Sequence, residues 1–244
     1  MQGVIDHPRT LRGAWRTKLF SVSHPRVVRT LRRVVEEHLT YLEMEALRDL
    51  VLVALENEAR GIEGVIVEAG CAAGGSAIAL ASAKRPEREF FVFDVFGMIP
   101  PPSAKDGPDV HERYGTIVRG EAAGLGSRRY YGYEENLLET VQGSFAQFGL
   151  DLSERHVHLI PGLFEETLKM EAPVALAHID CDWYESVRVC LERIVPKLVR
   201  GGTLVLDDYE SWSGCRKAVE EYFRDPDPDA YLFVKKSRLH VIRR

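Results

Sequence analysis

Two stretches carry carboxylates at spacings that suit a hard metal ion: His178-Ile179-Asp180-Cys181-Asp182-Trp183-Tyr184-Glu185-Ser186 and Leu206-Asp207-Asp208-Tyr209. Each follows a short apolar run that reads as a strand. If those strands are parallel neighbours, Asp180, Asp207 and Asp208 converge, and three carboxylates at close range repel unless a cation neutralises them. All-oxygen ligands suit Mg²⁺, with waters or substrate oxygens completing an octahedron. The competing reading is that these aspartates cap the helices that follow. Asp182 suits that role before a helix starting near Tyr184, but a cap accounts for one aspartate and not for two adjacent ones on another strand.

A third stretch, Glu68-Ala69-Gly70-Cys71-Ala72-Ala73-Gly74-Gly75-Ser76, follows the run Val65-Ile66-Val67. Glycines there let the backbone approach a ligand closely, and the helix start beyond them offers free N–H groups. The spacing lacks the third glycine of the dinucleotide fingerprint and the Gly-Lys-Ser/Thr of a phosphate loop. His178 alternates with Asp180 along its strand and is read first as a core or supporting histidine, second as a base. Trp183, Tyr184, Tyr209 and Trp212 are candidates to stack on substrate or adenine, or simply to pack. Arg216 and Lys217 open an amphipathic helix and read as solvated.

The elements that must position these residues alternate in type. Strands are expected at Val65–Val67, Phe90–Phe93, Val157–Ile160, Val174–Ile179 and Thr203–Leu206, with helices near Tyr41–Ala59, Ala77–Ala83, Phe164–Met170 and Tyr184–Leu198. Such alternation specifies an α/β chain with a mostly parallel, doubly wound sheet, covered on both faces. Ligands bind beyond the carboxyl ends of its strands, where Glu68, Asp94, Asp180, Asp207 and Asp208 fall. Tyr231–Val234 and Leu239–Ile242 read as an antiparallel C-terminal hairpin. Residues 1–60 read as an N-terminal arm and helices, broken at Pro8 and Pro25, and 61–244 as the core domain. The long Gly-, Pro- and Tyr-rich stretch from about 96 to 143 reads as a long loop, a lid in preference to a disordered segment. The basic arm suggests association into a homo-oligomer, or a cover for the site.

Bulk properties narrow the partners. The 244 residues are 45% hydrophobic and 28% charged, as in an ordinary globular domain. With 32 basic and 37 acidic side chains the net charge is −5, and no like-charged block suits nucleic acid or a membrane surface. A small molecule is the expected partner. Cys71, Cys181, Cys190 and Cys215 show no paired zinc or redox spacing. No signal peptide or bilayer-spanning run is present in the sequence, so the cytoplasm is the expected compartment.

The glycine turn resembles motif I of the S-adenosylmethionine-dependent methyltransferases. That resemblance implies a Rossmann-like methyltransferase fold, with the turn under the methionine part of the cofactor and Asp94 accepting from both ribose hydroxyls. The cofactor site so implied takes in Glu68, Gly70, Cys71, Gly74, Ser76, Asp94, Gly162, Phe164 and Asp180. FDVFGMIPPP, HIDCDWYES and GGTLVLDDYESWSGCRKAVEEYF, in that order, resemble the macrocin O-methyltransferase family over roughly residues 40–225. The resemblance implies methylation of a sugar hydroxyl on a glycosylated antibiotic, with Asp180, Asp207 and Asp208 as Mg²⁺ ligands and Asp180 as general base. The chain departs from the family at Ala72-Ala73, where a bulkier residue is usual, and at Cys181, where glycine is usual. Catechol-type methyltransferases carry a lysine where this chain has Trp183, which favours a carboxylate base and a sugar over a phenol. A non-catalytic cofactor-binding module is the reading from another class. A nicotinamide dehydrogenase would leave Asp207-Asp208 without a use.

Overall fold

The computed structural model describes residues 5–6, 20, 22–225, 227 and 229–244. The expected N-terminal arm therefore lies largely outside the described residues. Within them, Ile5–Asp6 forms a short strand, β1, at one sheet edge. Pro25, expected to break the chain, instead opens helix α1 (Pro25–Glu36) from its first turn. Proline lacks a donor, but the first turn of a helix has no partner for one anyway. Helix α2 (Met44–Ala59) follows.

Strands β2 (Val65–Ala69), β3 (Phe90–Asp94), β4 (Val157–Pro161), β5 (Val174–Ile179) and β6 (Leu198–Leu206) are parallel, with helix α3 (Gly75–Ala83) after β2. The hairpin β7 (Tyr231–Lys235) and β8 (Leu239–Arg243) joins through β8, antiparallel to β6. The strand order is β1-β7-β8-β6-β5-β2-β3-β4. The chain winds outward from β2 toward β4 and from β5 toward β8, so β2 and β5 flank the switch point at which such sheets bind ligands.

Helices α1, α2 and α3 cover one face with residues such as Leu31, Leu47, Leu50 and Ile78. Helix α5 (Leu137–Gln147) adds Val141 and Phe145 to the same core. Short α6 (Phe164–Thr167), α7 (Tyr184–Ile194) and α8 (Ser213–Tyr222) cover the other face through Val187, Leu191 and Val219. Ile78 is fully buried in this packing, and its truncation to alanine would cost about 2–5 kcal/mol.

Two expectations are corrected. Helix α7 stops at Ile194 rather than Leu198, because Pro196 lacks the N–H that continues a helix, and β6 begins at Leu198. Gly201, at φ +79°, carries that strand through an irregular register before Thr203. The segment 96–143 is not one long loop. It holds helix α4 (Pro108–Val118), a 3₁₀ turn (Tyr131–Tyr133) and the start of α5. Ile99, Val110, Ile117, Ala122 and Tyr130 form a small core there with Trp183. The Tyr133 hydroxyl donates to the Ile117 carbonyl at 2.7 Å and accepts from Ala122 N at 3.1 Å, tying the segment to itself.

Candidate active site

Three turns leave the sheet at the switch point, and buried carboxylates hold them in unusual backbone conformations. Ala72, Phe96 and Asp182 have positive φ, of 46°, 47° and 58°. Non-glycine residues adopt that region only when their surroundings enforce it. Asp94 enforces the first two: its Oδ2 accepts from Cys71 N at 2.7 Å and Ala72 N at 3.2 Å, and its Oδ1 from Phe96 N at 2.7 Å. Asp208 Oδ2 accepts from Asp182 N at 3.1 Å. Gly70, at φ +88°, lies so close to β5 that a Cβ would overlap the Asp180 carbonyl oxygen. Only glycine lets the two strand ends meet.

Beyond these turns lie two cavities with a common wall. The first, about 480 Å³, is lined by Gly70, Asp94 and Val95 at one side and by Leu163, Phe164 and Ser186 at the other. The second, about 1020 Å³, is lined by Tyr41, Arg113, Tyr130, Trp212 and the carboxylates of Asp207 and Asp208. Gly70, Asp94, Tyr131, Asp180 and Asp182 line both. One ligand oxygen each from Asp180, Asp207 and Asp208 lie within 4.8 Å of one another. Among the described residues no cation forms a salt bridge with Asp180 or Asp208, so this all-oxygen set fits a hard divalent ion such as Mg²⁺.

The electrostatics follow from crowding. Burial, and then the charge of Asp207, hold Asp180 well above the usual carboxylate range. Burial and Asp182 do the same to Asp208. Asp182 is pushed up to about 6, by burial first and by Asp207 second. Asp207 goes the other way: burial would raise it, but His178 and Arg238 hold it below its ordinary value. Arg238 Nε donates to Asp207 Oδ1 at 2.6 Å and its Nη2 to Glu43 at 3.2 Å.

The structure divides the expected cofactor residues. Gly70, Asp94, Phe164 and Asp180 line the first cavity; Glu68, Cys71, Gly74, Ser76 and Gly162 do not. Glu68 is wholly buried with Oε1 2.9 Å from His178 Nδ1, on the same face of β2 as Ile66, under α1, α2 and α3. Asp94 lines both cavities and receives three backbone N–H groups, two on Oδ2 and one on Oδ1. His178 lines neither cavity, which removes the geometric basis for reading it as a base. Asp182 does not cap α7: Asp106, in the inserted segment, accepts from Tyr184 N at 2.8 Å instead. Trp183 and Tyr184 are packed inside, with Trp183 Nε1 donating to the Pro100 carbonyl at 3.0 Å. Tyr209 bonds Glu220 on the surface, and of the four aromatics Trp212 is the one that lines either of these two cavities. Tyr41, Arg113, Tyr131 and Arg238 were not among the candidates. Nothing local marks Tyr41, Arg113 or Arg238; Tyr131 lies in RRYYGY, a run rich in ring and charge inside the long insertion.

The family model described as macrocin-O-methyltransferase (TylF) matches residues 38–230. The chain belongs to that family. This macrocin-O-methyltransferase family member is 33% identical over 171 residues to the 8-demethyl-8-(2,3-dimethoxy-alpha-L-rhamnosyl)-tetracenomycin-C 4'-O-methyltransferase of Streptomyces olivaceus, covering 67% of this chain and 59% of that one. It is 31% identical over 173 residues to the demethyldecarbamoylnovobiocin O-methyltransferase of Streptomyces niveus, covering 66% and 58%. The matches thus span about three-fifths of the length of these relatives. In fold it is similar to the solved structure of the O-methyltransferase NovP, with a TM-score of 0.67 at 24% identity over 84% of this chain and 82% of that one. Rossmann-like methyltransferase architecture is therefore shared. Among the described residues no helix is long and apolar enough to cross a membrane.

Proposed function

We propose that this chain transfers the methyl group of S-adenosylmethionine to a sugar hydroxyl of a glycosylated small molecule, with Mg²⁺ held by Asp180, Asp207 and Asp208. The observation that carries this reading is the shared wall. A donor in the smaller cavity and an acceptor in the larger would meet across Gly70, Tyr131, Asp180 and Asp182, and Asp207 and Asp208 line the acceptor side alone. The curated relatives named above, two O-methyltransferases, support the same choice.

In this reading each residue has a task that its position allows. Asp180 faces both cavities and takes the proton of the acceptor hydroxyl; burial and Asp207 already raise its affinity for one. Gly70 brings the donor loop against the end of β5, and Tyr131 closes the gap from the inserted segment, so that orientation supplies much of the rate. When bound, Mg²⁺ supplies a Lewis acid that makes a hydroxyl more acidic, and S-adenosylmethionine supplies an electrophilic methyl group. Trp183 stands where a phenol-type enzyme would carry a lysine, and it is buried against Pro100 rather than open to the acceptor. A non-catalytic module would have no use for carboxylates that repel one another. The reading puts the reaction in the cytoplasm, a reducing compartment in keeping with four free thiols.

The test is methyl transfer from isotope-labelled S-adenosylmethionine to a panel of deoxysugar-bearing glycosides, with and without Mg²⁺. Label should appear on a sugar oxygen only with the metal, and Asp180→Asn should reduce the rate by at least about the 100-fold expected on loss of a general base. Transfer that persists in a chelator, or in Asp180→Asn, would sink the mechanism.

A further inference from the structure

Behind the carboxylate cluster lies a buried ionisable pair that belongs to neither cavity. Glu68 on β2 and His178 on β5 are partners in the parallel register, and both side chains are 0% exposed. Glu68 Oε1 and His178 Nδ1 are 2.9 Å apart, which fixes the rotation of the imidazole. Strand side chains alternate, so His178 shares a face with Asp180 two residues on. Its register partner on β6 is Val205, two residues before Asp207. The ring therefore turns its other nitrogen, Nε2, toward Asp207, 3.9 Å from Oδ1.

That distance is too long for a hydrogen bond, and His178 Nε2 and Glu68 Oε2 are buried without a partner. Unsatisfied buried polar atoms are rare in folded proteins and call for a reason. Asp207 Oδ1 is held from the far side by Arg238 Nε at 2.6 Å. Its Oδ2 receives no hydrogen bond from the described residues. One oxygen of this ligand is thus bonded to Arg238 with His178 Nε2 facing it at 3.9 Å, and the other is left open.

We propose that Glu68 and His178 are positioning residues of the metal site, acting through Asp207: Glu68 sets the ring, and the ring fixes one Asp207 oxygen so that the other faces the divalent cation. The proposal rests on the reading that Asp180, Asp207 and Asp208 hold Mg²⁺. Loss of such outer partners typically weakens metal binding by about 10–100-fold. A pair that only filled the core would, on removal, lower stability and affect every ligand alike.

The experiment is calorimetric titration of the full chain with Mg²⁺, alongside titration with S-adenosylhomocysteine as a probe of the donor cavity. Wild type should bind Mg²⁺ and Asp207→Asn should not. His178→Ala should bind Mg²⁺ about 10–100-fold more weakly while S-adenosylhomocysteine affinity changes by less than about threefold. His178→Gln, whose amide reaches the place of Nε2, should recover more metal affinity than His178→Asn, whose amide reaches only toward Glu68. Glu68→Ala, which frees the ring, should weaken Mg²⁺ in the same direction, and carries the test if His178→Ala does not fold. Unchanged Mg²⁺ affinity in the His178 and Glu68 variants, with wild type binding normally, overturns the proposal but leaves the metal site standing. So does a parallel fall in both ligands, or rescue by asparagine equal to that by glutamine. A wild type that takes up no Mg²⁺ overturns the metal reading itself, and this proposal with it.

Discussion

Asp94 and the group Asp180, Asp207 and Asp208 lie at the same end of one sheet, yet their oxygens are used in opposite ways. Asp94 receives three backbone N–H groups from two strained turns. Asp180 receives none from the described residues, and Asp208 receives one. Both regions are buried, and burial raises the proton affinity of Asp94 as it does that of Asp180. What differs is the supply of donors. A carboxylate most of whose acceptor sites are taken by backbone holds its turns in place. One left open beside others of like charge calls for a cation.

The comparison can be broken most decisively by exchanging the losses. Asp180→Asn should abolish measurable Mg²⁺ binding, a larger effect than the about 10–100-fold that loss of an outer partner causes. Its melting temperature without metal should hold or rise, since a mutual repulsion is relieved. Asp94→Asn should do the reverse. An amide cannot accept on both sides, so one turn loses its anchor at a cost of about 1.5–3 kcal/mol, while Mg²⁺ affinity is kept. Calorimetry and thermal melts on the two variants check both halves; matching behaviour would erase the distinction.

A smaller effect concerns pH. Asp180 and Asp208 have raised folded-state values, so in the metal-free chain the stability linked to them is present in acid and lost as pH rises through those values. Protons and Mg²⁺ compete for the same oxygens. The stabilisation produced by a fixed concentration of Mg²⁺, read from thermal melts, should therefore grow from mildly acid to mildly alkaline pH, reaching about 2.7 kcal/mol where that concentration is a hundredfold over Kd. A shift independent of pH would mean that the metal binds elsewhere.

The smallest effect separates the cluster from its neighbour His240. That ring is buried on β8 with both nitrogens unpartnered, and burial pushes it down to about 3 from an ordinary 6.5. Between those values the unfolded chain binds the extra proton, so stability falls as pH drops through this window. His240→Leu should flatten that fall, add roughly 1–3 kcal/mol at neutral pH for the removed unsatisfied group, and leave Mg²⁺ affinity alone. Melts across the acid range with and without the substitution would show it.

What the sequence determined was local. Alternation of apolar runs with helical segments named the strands of the parallel core within a residue or two, except the start of β6. Gly70, Asp180, Asp207 and Asp208 were legible because a glycine between strand and helix, and carboxylates at strand ends, owe their meaning to immediate neighbours. Tertiary structure decided which groups those side chains touch. Asp106 took the cap expected of Asp182, Glu68 turned from the cofactor to His178, and Tyr131 and Arg113 entered the site from a segment read as a long loop. The physical reason is that residue type sets how many hydrogen bonds a group can make, while the partners that fill them come from strands and turns far away in the chain. Asp94 shows it most simply: a carboxylate able to hold two hydroxyls is legible from sequence, and that three backbone N–H groups already occupy it is not.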